Sequence, residues 1–423
     1  MKKYPSDLNN WQIFILFLQL GCISFGGPAA HLVLFHRKFV QQLKWLTEAE
    51  YSQIVAFTQI LPGPSSSQVG IAIGYLKKGY RGSICAWLGF SLPSCVLMTL
   101  AAMLGQYYFD QISPVLFHVI QLVVLAIVIW AFWQMLQSFC KEIWQYVFML
   151  VSALFIYSST LSYSQFILIL FAALLGIIFS HHARTPKSGP QTFKSELSKK
   201  NKKSDLSKQD DLYKTHQKTY IWLVLFTLPF LFFSLTDYSN SSPITQSIRG
   251  FYYSASMVFG GGHIILPLLH QEFVSTELVL NQQFDLGYAL AQLMPGPLFS
   301  FASYLGALLQ FTQFPVLNAM IATFLIFLPS FLLIWGTLPY WSWLIRQEKI
   351  RQAITGINAA VIGLLLSLVI QMSEKSVLDG IDFIFVGLVV LLLRTQMSIV
   401  LILLGSSISY YSFLTYLNSI ICI

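Results

Sequence analysis

The chain has 423 residues, of which 56% are hydrophobic and only 10% are charged. Because soluble globular domains carry roughly 25% charged residues, this composition excludes a soluble enzyme, a nucleic-acid-binding protein and a disordered protein. The formal net charge of +8 is a local feature, since residues 181–219 hold ten Lys and Arg but only four Asp and Glu.

The predicted fold class is an all-α polytopic membrane protein, because spanning helices need about 20 mostly apolar residues and such runs recur along the chain. The first run follows MKKYPSDLNN without a cleavage motif, so we expect it to be retained. About 13 hydrophobic segments are predicted on this criterion. Six precede the charged stretch, at 11–35, 51–76, 82–107, 115–139, 143–160 and 163–180. Seven follow it, at 219–236, 247–271, 284–309, 313–340, 350–372, 377–393 and 397–418.

Residues 181–218 are rich in Lys and Ser and nearly free of aliphatic side chains, which predicts a disordered cytoplasmic linker. It separates two predicted domains, residues 1–180 and 219–423. The five cysteines form neither a CxxC motif nor a cluster with histidine, so the sequence predicts no disulfide framework, no metal site and no cofactor.

The two predicted domains share three motifs in the same order, separated by 233 to 236 residues. The pairs are Phe25-Gly26-Gly27 with Phe259-Gly260-Gly261, Pro62-Gly63-Pro64 with Pro295-Gly296-Pro297, and Leu92-Pro93-Ser94 with Leu328-Pro329-Ser330. This pattern indicates an internal duplication.

Seven segments separate equivalent positions, and this odd number predicts that the second half is inverted in the membrane. If the linker is cytoplasmic, most Lys and Arg residues fall on the cytoplasmic side, as the positive-inside rule requires. The exceptions are Arg37, Lys38, Lys44, Arg249 and Lys375. The cluster at 37–44 would agree with the rule if the first Pro-Gly-Pro segment re-entered the membrane instead of crossing it.

Glycine and proline weaken a helix, and freed backbone groups are tolerated at membrane depth only where protein buries them or a cavity is lined. A helix start also presents unpaired N–H groups and a positive dipole end, which suits an anion. Broken helices at matching places in two inverted halves are typical of a transport site at the membrane midplane. The alternative is a packing kink between helices.

These motifs resemble the chromate ion transporter family in its long two-domain form. The first half resembles it in FGGPAAH at 25–31, WLTEAE at 45–50, QILPGPSSSQ at 59–68 and LPS at 92–94. The second half does so in FGGG at 259–262, LPLL at 266–269, AQLMPGPLFSFASYLGA at 291–307, FLPSFLL at 327–333 and GINAAVIGLLL at 356–366. The resemblance implies a multi-pass protein of a bacterial inner membrane that exports chromate and confers chromate resistance. From the same resemblance we expect sulfate, a similar tetrahedral dianion, to be a competitor or an alternative substrate.

The candidate substrate-binding residues are neutral donors at or beside the broken segments. They are Gly26, Gly27, His31, Gln59, Gly63, Ser65, Ser66, Ser67, Gln68, Gly260, Gly261, Gly262, Gln292, Gly296 and Ser300. For each serine the alternative is a local helix bond, and for His31 it is simple packing at a helix end. The candidates for proton coupling are Asp285, Glu50 and His263. Acidic residues near helix starts have an alternative role as dipole partners at the interface.

The predicted function is secondary transport by alternating access. We expect the proton gradient to drive it, because no ATP-binding GxxxxGK[ST] motif occurs in the sequence. The expected partners are a chromate or sulfate-like dianion, protons and the lipid bilayer, with no nucleic acid. A homodimer is compatible with the sequence, although nothing in it argues for one. An oxyanion importer and a passive channel are alternatives, whereas a membrane enzyme is disfavoured because HExxH and GxSxG are absent.

Overall fold

The computed structural model describes residues 9–159, 164–179, 219–235, 242–259, 262–309, 311–395 and 397–421. These residues form α-helices with short 3-10 and π-helical segments, and no strand occurs among them. The all-α fold class is therefore confirmed. The predicted linker at 181–218 lies outside the described residues.

The helices divide into two series with one additional helix between them. The first series is α1 (Asn10–Ile23), α2 (Gly27–Phe35), α3 (Glu48–Thr58), α4 (Ser65–Tyr108), α5 (Pro114–Phe139), α6 (Ile143–Ser158) and α7 (Ser164–Phe179). The additional helix is α8 (Tyr220–Leu235). The second series is α9 (Pro243–Ser256), α10 (Ile265–Leu269), α11 (Asn281–Leu293), α12 (Phe301–Leu308), α13 (Pro315–Thr337), α14 (Trp341–Arg346), α15 (Glu348–Ser376), α16 (Gly380–Leu393) and α17 (Ile399–Ile421). Two π-helices, His36–Gln42 and His270–Val274, follow α2 and α10.

The two series correspond element by element at the spacing of the sequence repeat. Helices α1, α3, α5, α6 and α7 match α9, α11, α15, α16 and α17, and the two π-helices match each other. The packing between the series is reciprocal, because α5 contacts α16 and α17 while α15 contacts α6 and α7. Reciprocal contacts of this kind arise when a two-fold rotation relates two parts.

Two of the predicted apolar segments, 11–35 and 247–271, are not continuous helices but fold back on themselves. The first hairpin (residues 10–42) reverses at Gly26 and Gly27, whose φ angles of +93° and +78° favour glycine. The Phe17 ring on its first arm therefore stacks on Phe39 of its second arm at 5.1 Å. The third hairpin (residues 243–259 and 262–274) repeats this contact between the equivalent rings of Phe251 and Phe273, at 4.5 Å.

The Pro-Gly-Pro segments also turn back, which answers the question that the sequence left open. In the second hairpin (residues 45–77), the ammonium group of Lys77 donates a hydrogen bond to the carbonyl oxygen of Trp45 at 2.9 Å, so the two ends are adjacent. In the fourth hairpin (residues 281–308), a Cβ added at Gly287 would clash with the Tyr304 ring. A continuous helix would place these two residues about 25 Å apart.

Helix α4 contains a further sharp reversal after the second hairpin. Lys78 has non-helical angles (φ −143°, ψ 27°), and Gly79 adopts φ +59°. Gly74 and Gly82 face each other across this bend so closely that a Cβ on either would clash with the carbonyl group of the other. The second arm of α4 then runs to Tyr108 as a long apolar helix.

Five helices of the described chain are long and apolar enough to cross a membrane: α4, α5, α13 with its 3-10 extension to Tyr340, α15 and the part of α17 from Ile399 to Tyr416. Shorter apolar helices include α6, α7, α8 and α16. Many of their large apolar side chains are exposed, as expected for a protein surrounded by lipid. The chain is therefore a multi-pass membrane protein. Four of the predicted apolar segments form hairpins and not single spanning helices.

Candidate functional site

The tips of the four hairpins meet inside the protein. The N–H group of Gly63, in the second hairpin, donates to the carbonyl oxygen of Val258 in the third hairpin at 2.7 Å. The N–H group of Gly296, in the fourth hairpin, donates to the carbonyl oxygen of Ser24 in the first hairpin at 2.8 Å. These two bonds join equivalent atoms of the repeat, so each Pro-Gly-Pro tip is held by the glycine-rich tip of the other half.

Two further equivalent positions, Pro28 and Gly262, contact each other directly. A Cβ added at Gly262 would lie 3.3 Å from Cγ of Pro28. Residues related by a two-fold rotation touch each other only near the rotation axis. The contact between Pro28 and Gly262 is thus of the kind expected if a two-fold rotation relates the two halves.

The third repeated motif, Leu-Pro-Ser, packs against the Pro-Gly-Pro tips. Gly63 and Gly296 have φ angles of +124° and +109°, which disfavour any residue with a Cβ. A Cβ at Gly63 would lie 2.7 Å from Oγ of Ser330, and one at Gly296 would lie 2.6 Å from Oγ of Ser94. Each Pro-Gly-Pro tip thus packs on the Leu-Pro-Ser motif of the other half. Ser94 and Ser330 were not among the predicted site residues, although the motif that contains them recurs visibly in the sequence.

The first half contributes an open helix start to this meeting point. Helix α4 begins directly after Pro64, whose side chain cannot accept a hydrogen bond from the first N–H groups of the helix. Ser66, Ser67 and Gln68 are buried there. Within the described chain, the Ser67 hydroxyl has no hydrogen-bond partner. Gln68 uses its Nε2 to donate to the carbonyl oxygen of Pro62 at 2.6 Å, which leaves its Oε1 without a partner among the described residues.

His31 is fully buried beside this helix start. Its Nε2 lies 3.1 Å from the carbonyl oxygen of Ser24, and its Nδ1 lies 3.3 Å from Oγ of Ser66. Since a carbonyl oxygen only accepts, Nε2 carries the proton, and Nδ1 of a neutral ring accepts from the Ser66 hydroxyl. His31 therefore lies at the predicted site, where its two ring nitrogens contact Ser24 and Ser66.

The second half lacks the same donors. Leu298, Phe299 and Phe301 occupy the positions equivalent to Ser65, Ser66 and Gln68. The Ser300 hydroxyl, equivalent to that of Ser67, donates to the carbonyl oxygen of Pro297 at 2.7 Å, which is the local helix bond weighed above. The hydrogen-bond donors at the meeting point thus come mainly from the first half.

The remaining substrate-binding candidates differ in burial and in hydrogen bonding. Gln59 is exposed at the end of α3, whereas Gln292 is half-buried on α11 with no partner for its Nε2 among the described residues. Gly260, Gly261 and the side chain of His263 lie outside the described part of the structure. No group of three His, Cys, Asp or Glu residues in the described ranges is arranged to hold a metal ion.

The acidic candidates occupy two different environments. Glu50 accepts a hydrogen bond from the N–H group of Thr47 at 2.8 Å in a capping box at the start of α3, the interfacial role given above as the alternative. Asp285 is 1% exposed and accepts a hydrogen bond from the Asn281 amide at 3.0 Å. Of these two candidates, Asp285 is therefore the one with a buried carboxyl group.

Comparison with known proteins agrees with the repeat. The family model described as "Chromate transporter" matches residues 11–177 and 245–410. The chain is 26% identical over 385 residues to a probable chromate transport protein of Synechococcus elongatus, covering 90% of this chain and 88% of the relative. It is 22% identical over 421 residues to a chromate transport protein of Pseudomonas aeruginosa, covering 96% and 92%.

An uncharacterized transporter of Methanocaldococcus jannaschii is 25% identical over 373 residues, covering 88% of this chain and 85% of that protein. No solved structure matches the chain significantly. The two matched regions fall on the two corresponding helix series, and together they cover most of the chain. The chain belongs to the chromate transporter family in its two-domain form.

Proposed function

We propose that the protein is a secondary transporter of chromate that binds the dianion where the four hairpin tips meet. The observation that carries this proposal is the open start of α4 at that point, with the buried Ser67 hydroxyl left unpartnered. The names of the Synechococcus and Pseudomonas relatives support chromate as the substrate.

Neutral donors suit a transported dianion better than paired cations do. Conduction and transport require binding that is favourable enough for entry and weak enough for release. The N–H groups of Ser65, Ser66 and Ser67, the Ser67 hydroxyl and the positive end of the α4 dipole supply partial charges without a fixed cation. Sulfate presents the same tetrahedral oxygens, and we expect it to compete with chromate.

We propose an inverted arrangement of the halves in a bacterial inner membrane, and the hairpins agree with the inverted arrangement. If the first two hairpins enter from the linker side, Arg37, Lys38 and Lys44 join Lys77 and Arg81 on that side. Among the described basic residues, only Arg249 and Lys375 then fall on the opposite side. The positive-inside rule places the linker side in the cytoplasm, and the discrepancy at 37–44 disappears.

The proposed mode of transport is alternating access. Each Pro-Gly-Pro tip is bound to the opposite half by one backbone hydrogen bond, so rocking of the halves changes which face of the tips is open. In the absence of an ATP-binding motif, the proton gradient is the proposed energy source, and efflux is the proposed direction.

The test is uptake of labelled chromate into everted membrane vesicles, which converts efflux into uptake. We expect saturable uptake that depends on the protein, is inhibited by sulfate and is abolished by an uncoupler. Vesicles that contain folded protein but take up no chromate would contradict the chromate proposal. Uptake that survives complete uncoupling would contradict the proposed energy source alone.

A further inference from the structure

A cavity of about 390 Å³ lies apart from the hairpin tips, between the end of α6, the start of α7, the third hairpin and α15. Its lining is mainly neutral and polar, and it includes the side chains of Tyr157, His270 and Glu272. A polar lining and a volume of this size suit bound water, which needs hydrogen-bonding partners that an apolar cavity lacks. Glu272 is the carboxylate in this lining.

Glu272 forms a buried ion pair within the third hairpin. Its Oε1 lies 3.9 Å from Nη2 of Arg249, and the two side chains are only 13% and 4% exposed. The Arg249 guanidinium also lies over the Tyr253 ring, 5.2 Å from its centroid. The equivalent positions in the first half are Ile15 and Lys38, so this pair is a feature of the second half alone.

A hydrogen-bonded chain leads from the cavity to a second buried acid. His270, which lines the cavity, has its Nε2 3.2 Å from Oδ1 of Asn281. The Asn281 amide in turn donates to Oδ2 of Asp285 at 3.0 Å, and Oδ1 of Asp285 has no hydrogen bond among the described residues. The other groups that face these side chains are Gln121 on α5 and Lys375 on α15.

The ion pair is mechanically connected to the oxyanion site. Arg249 lies on α9 and Glu272 on the following π-helix, so the pair joins the two arms of the third hairpin. A Cβ added at Gly250 would lie 3.2 Å from Cβ of Glu272, which shows how closely these arms pack. The tip of the same hairpin provides Val258, the acceptor for Gly63. A change in the pair therefore acts on the segment that holds the second hairpin.

We propose that this cavity is a proton-loading vestibule in which Glu272 takes up a proton from water and thereby uncouples from Arg249. The proton passes from hydronium in the cavity to a carboxylate oxygen of Glu272, which becomes neutral and releases the guanidinium. The reverse transfer returns the proton to water after the halves have rocked. In the orientation given above, the vestibule opens on the side opposite the linker, where an inward proton gradient loads it.

This inference rests on the proposed oxyanion transport, so the experiment separates the two. Purified protein in liposomes is assayed for exchange of labelled chromate against internal chromate and for chromate accumulation driven by a pH gradient. Glu272→Gln is expected to retain exchange within about twofold and to lose accumulation by at least about tenfold, the size of a typical coupling between sites. Glu374→Gln is the matched control, because this exposed carboxylate bonds Tyr157 near the same cavity, and it is expected to retain both activities.

Glu272→Gln leaves Arg249 buried without its carboxylate, which is destabilising. The double variant Arg249→Gln/Glu272→Gln removes both charges and is expected to show the same separation of exchange from accumulation. Accumulation at the wild-type level in either folded variant would overturn the inference, as would equal loss of exchange and accumulation in both. Wild-type protein that shows neither activity would instead contradict the proposed transport itself.

Discussion

Gly63→Ala is expected to reduce oxyanion transport by about 100-fold, the loss that a misplacement of about 1 Å causes at a reaction or binding site. A Cβ at this position would lie 2.7 Å from Oγ of Ser330, on a backbone whose φ of +124° already disfavours alanine. The second hairpin would have to shift, and with it the bond to Val258 and the start of α4. Gly296→Ala is expected to have the same effect through Ser94.

The control for backbone strain is Gly79→Ala. Gly79 also has a positive φ, +59°, but nothing lies within 4 Å of an added Cβ. We expect this variant to cost about 1–2 kcal/mol of stability without changing the apparent KM for chromate. The measurement is the initial rate of labelled chromate uptake into vesicles, normalised to folded protein from size-exclusion chromatography. Transport by Gly63→Ala equal to that by Gly79→Ala would show that the tip contact is not needed.

Ser67→Ala is expected to raise the apparent KM for chromate about tenfold, because a hydrogen bond to a charged group contributes about 1.5–3 kcal/mol and 1.4 kcal/mol corresponds to a factor of ten. Ser300→Ala removes the equivalent hydroxyl of the second half, which already bonds the carbonyl oxygen of Pro297. We therefore expect its KM to stay within about twofold of the wild-type value.

The same pair of variants separates a binding role from packing. Both hydroxyl groups are buried at equivalent positions of the repeat, so loss of packing alone predicts similar effects. Equal KM values for the two variants, or a raised KM in Ser300→Ala alone, would rule out the Ser67 hydroxyl as a hydrogen-bond donor to the anion.

The repeat and the helix breaks could be predicted from the sequence because they depend on local residue types. Two glycines before Pro28, and prolines on both sides of Gly63, were sufficient to predict broken helices there. Whether a break is a kink or a reversal depends on distant contacts, such as the packing of Gly287 on Tyr304. No local pattern contains that information, so within 11–35 and 247–271 the sequence predicted a break but not a reversal.

The candidate site was predictable in part for the same reason. The difference between Ser65-Ser66-Ser67-Gln68 and Leu298-Phe299-Ser300-Phe301 is visible in the sequence, and the structure explains it as an asymmetric set of donors. The bond from Gly63 to Val258 and the packing of Gly296 on Ser94 join opposite halves, which sequence spacing does not reveal.

The buried ion pair was missed, although one of its members had been noticed. In the sequence, Arg249 stood out only as an exception to the positive-inside rule, and Glu272 was not among the candidate residues. Once the third hairpin reverses at its tip, the two residues lie on facing arms, with Arg249 only 3% exposed. The available signal in the sequence was a pair of opposite charges at similar separations before and after the glycine-rich motif, which would meet if the chain reversed there.

The central claim is that the hairpin tips bind a tetrahedral oxyanion, and equilibrium binding to purified protein tests it most directly. A ligand that binds only the folded state raises the thermal unfolding midpoint in a concentration-dependent manner. We predict that chromate and sulfate each raise the midpoint of the wild-type protein and of Ser300→Ala, and that Ser67→Ala requires about tenfold more of either anion. Folded wild-type protein whose midpoint does not respond to chromate, or an equal response in Ser67→Ala, would contradict the claim.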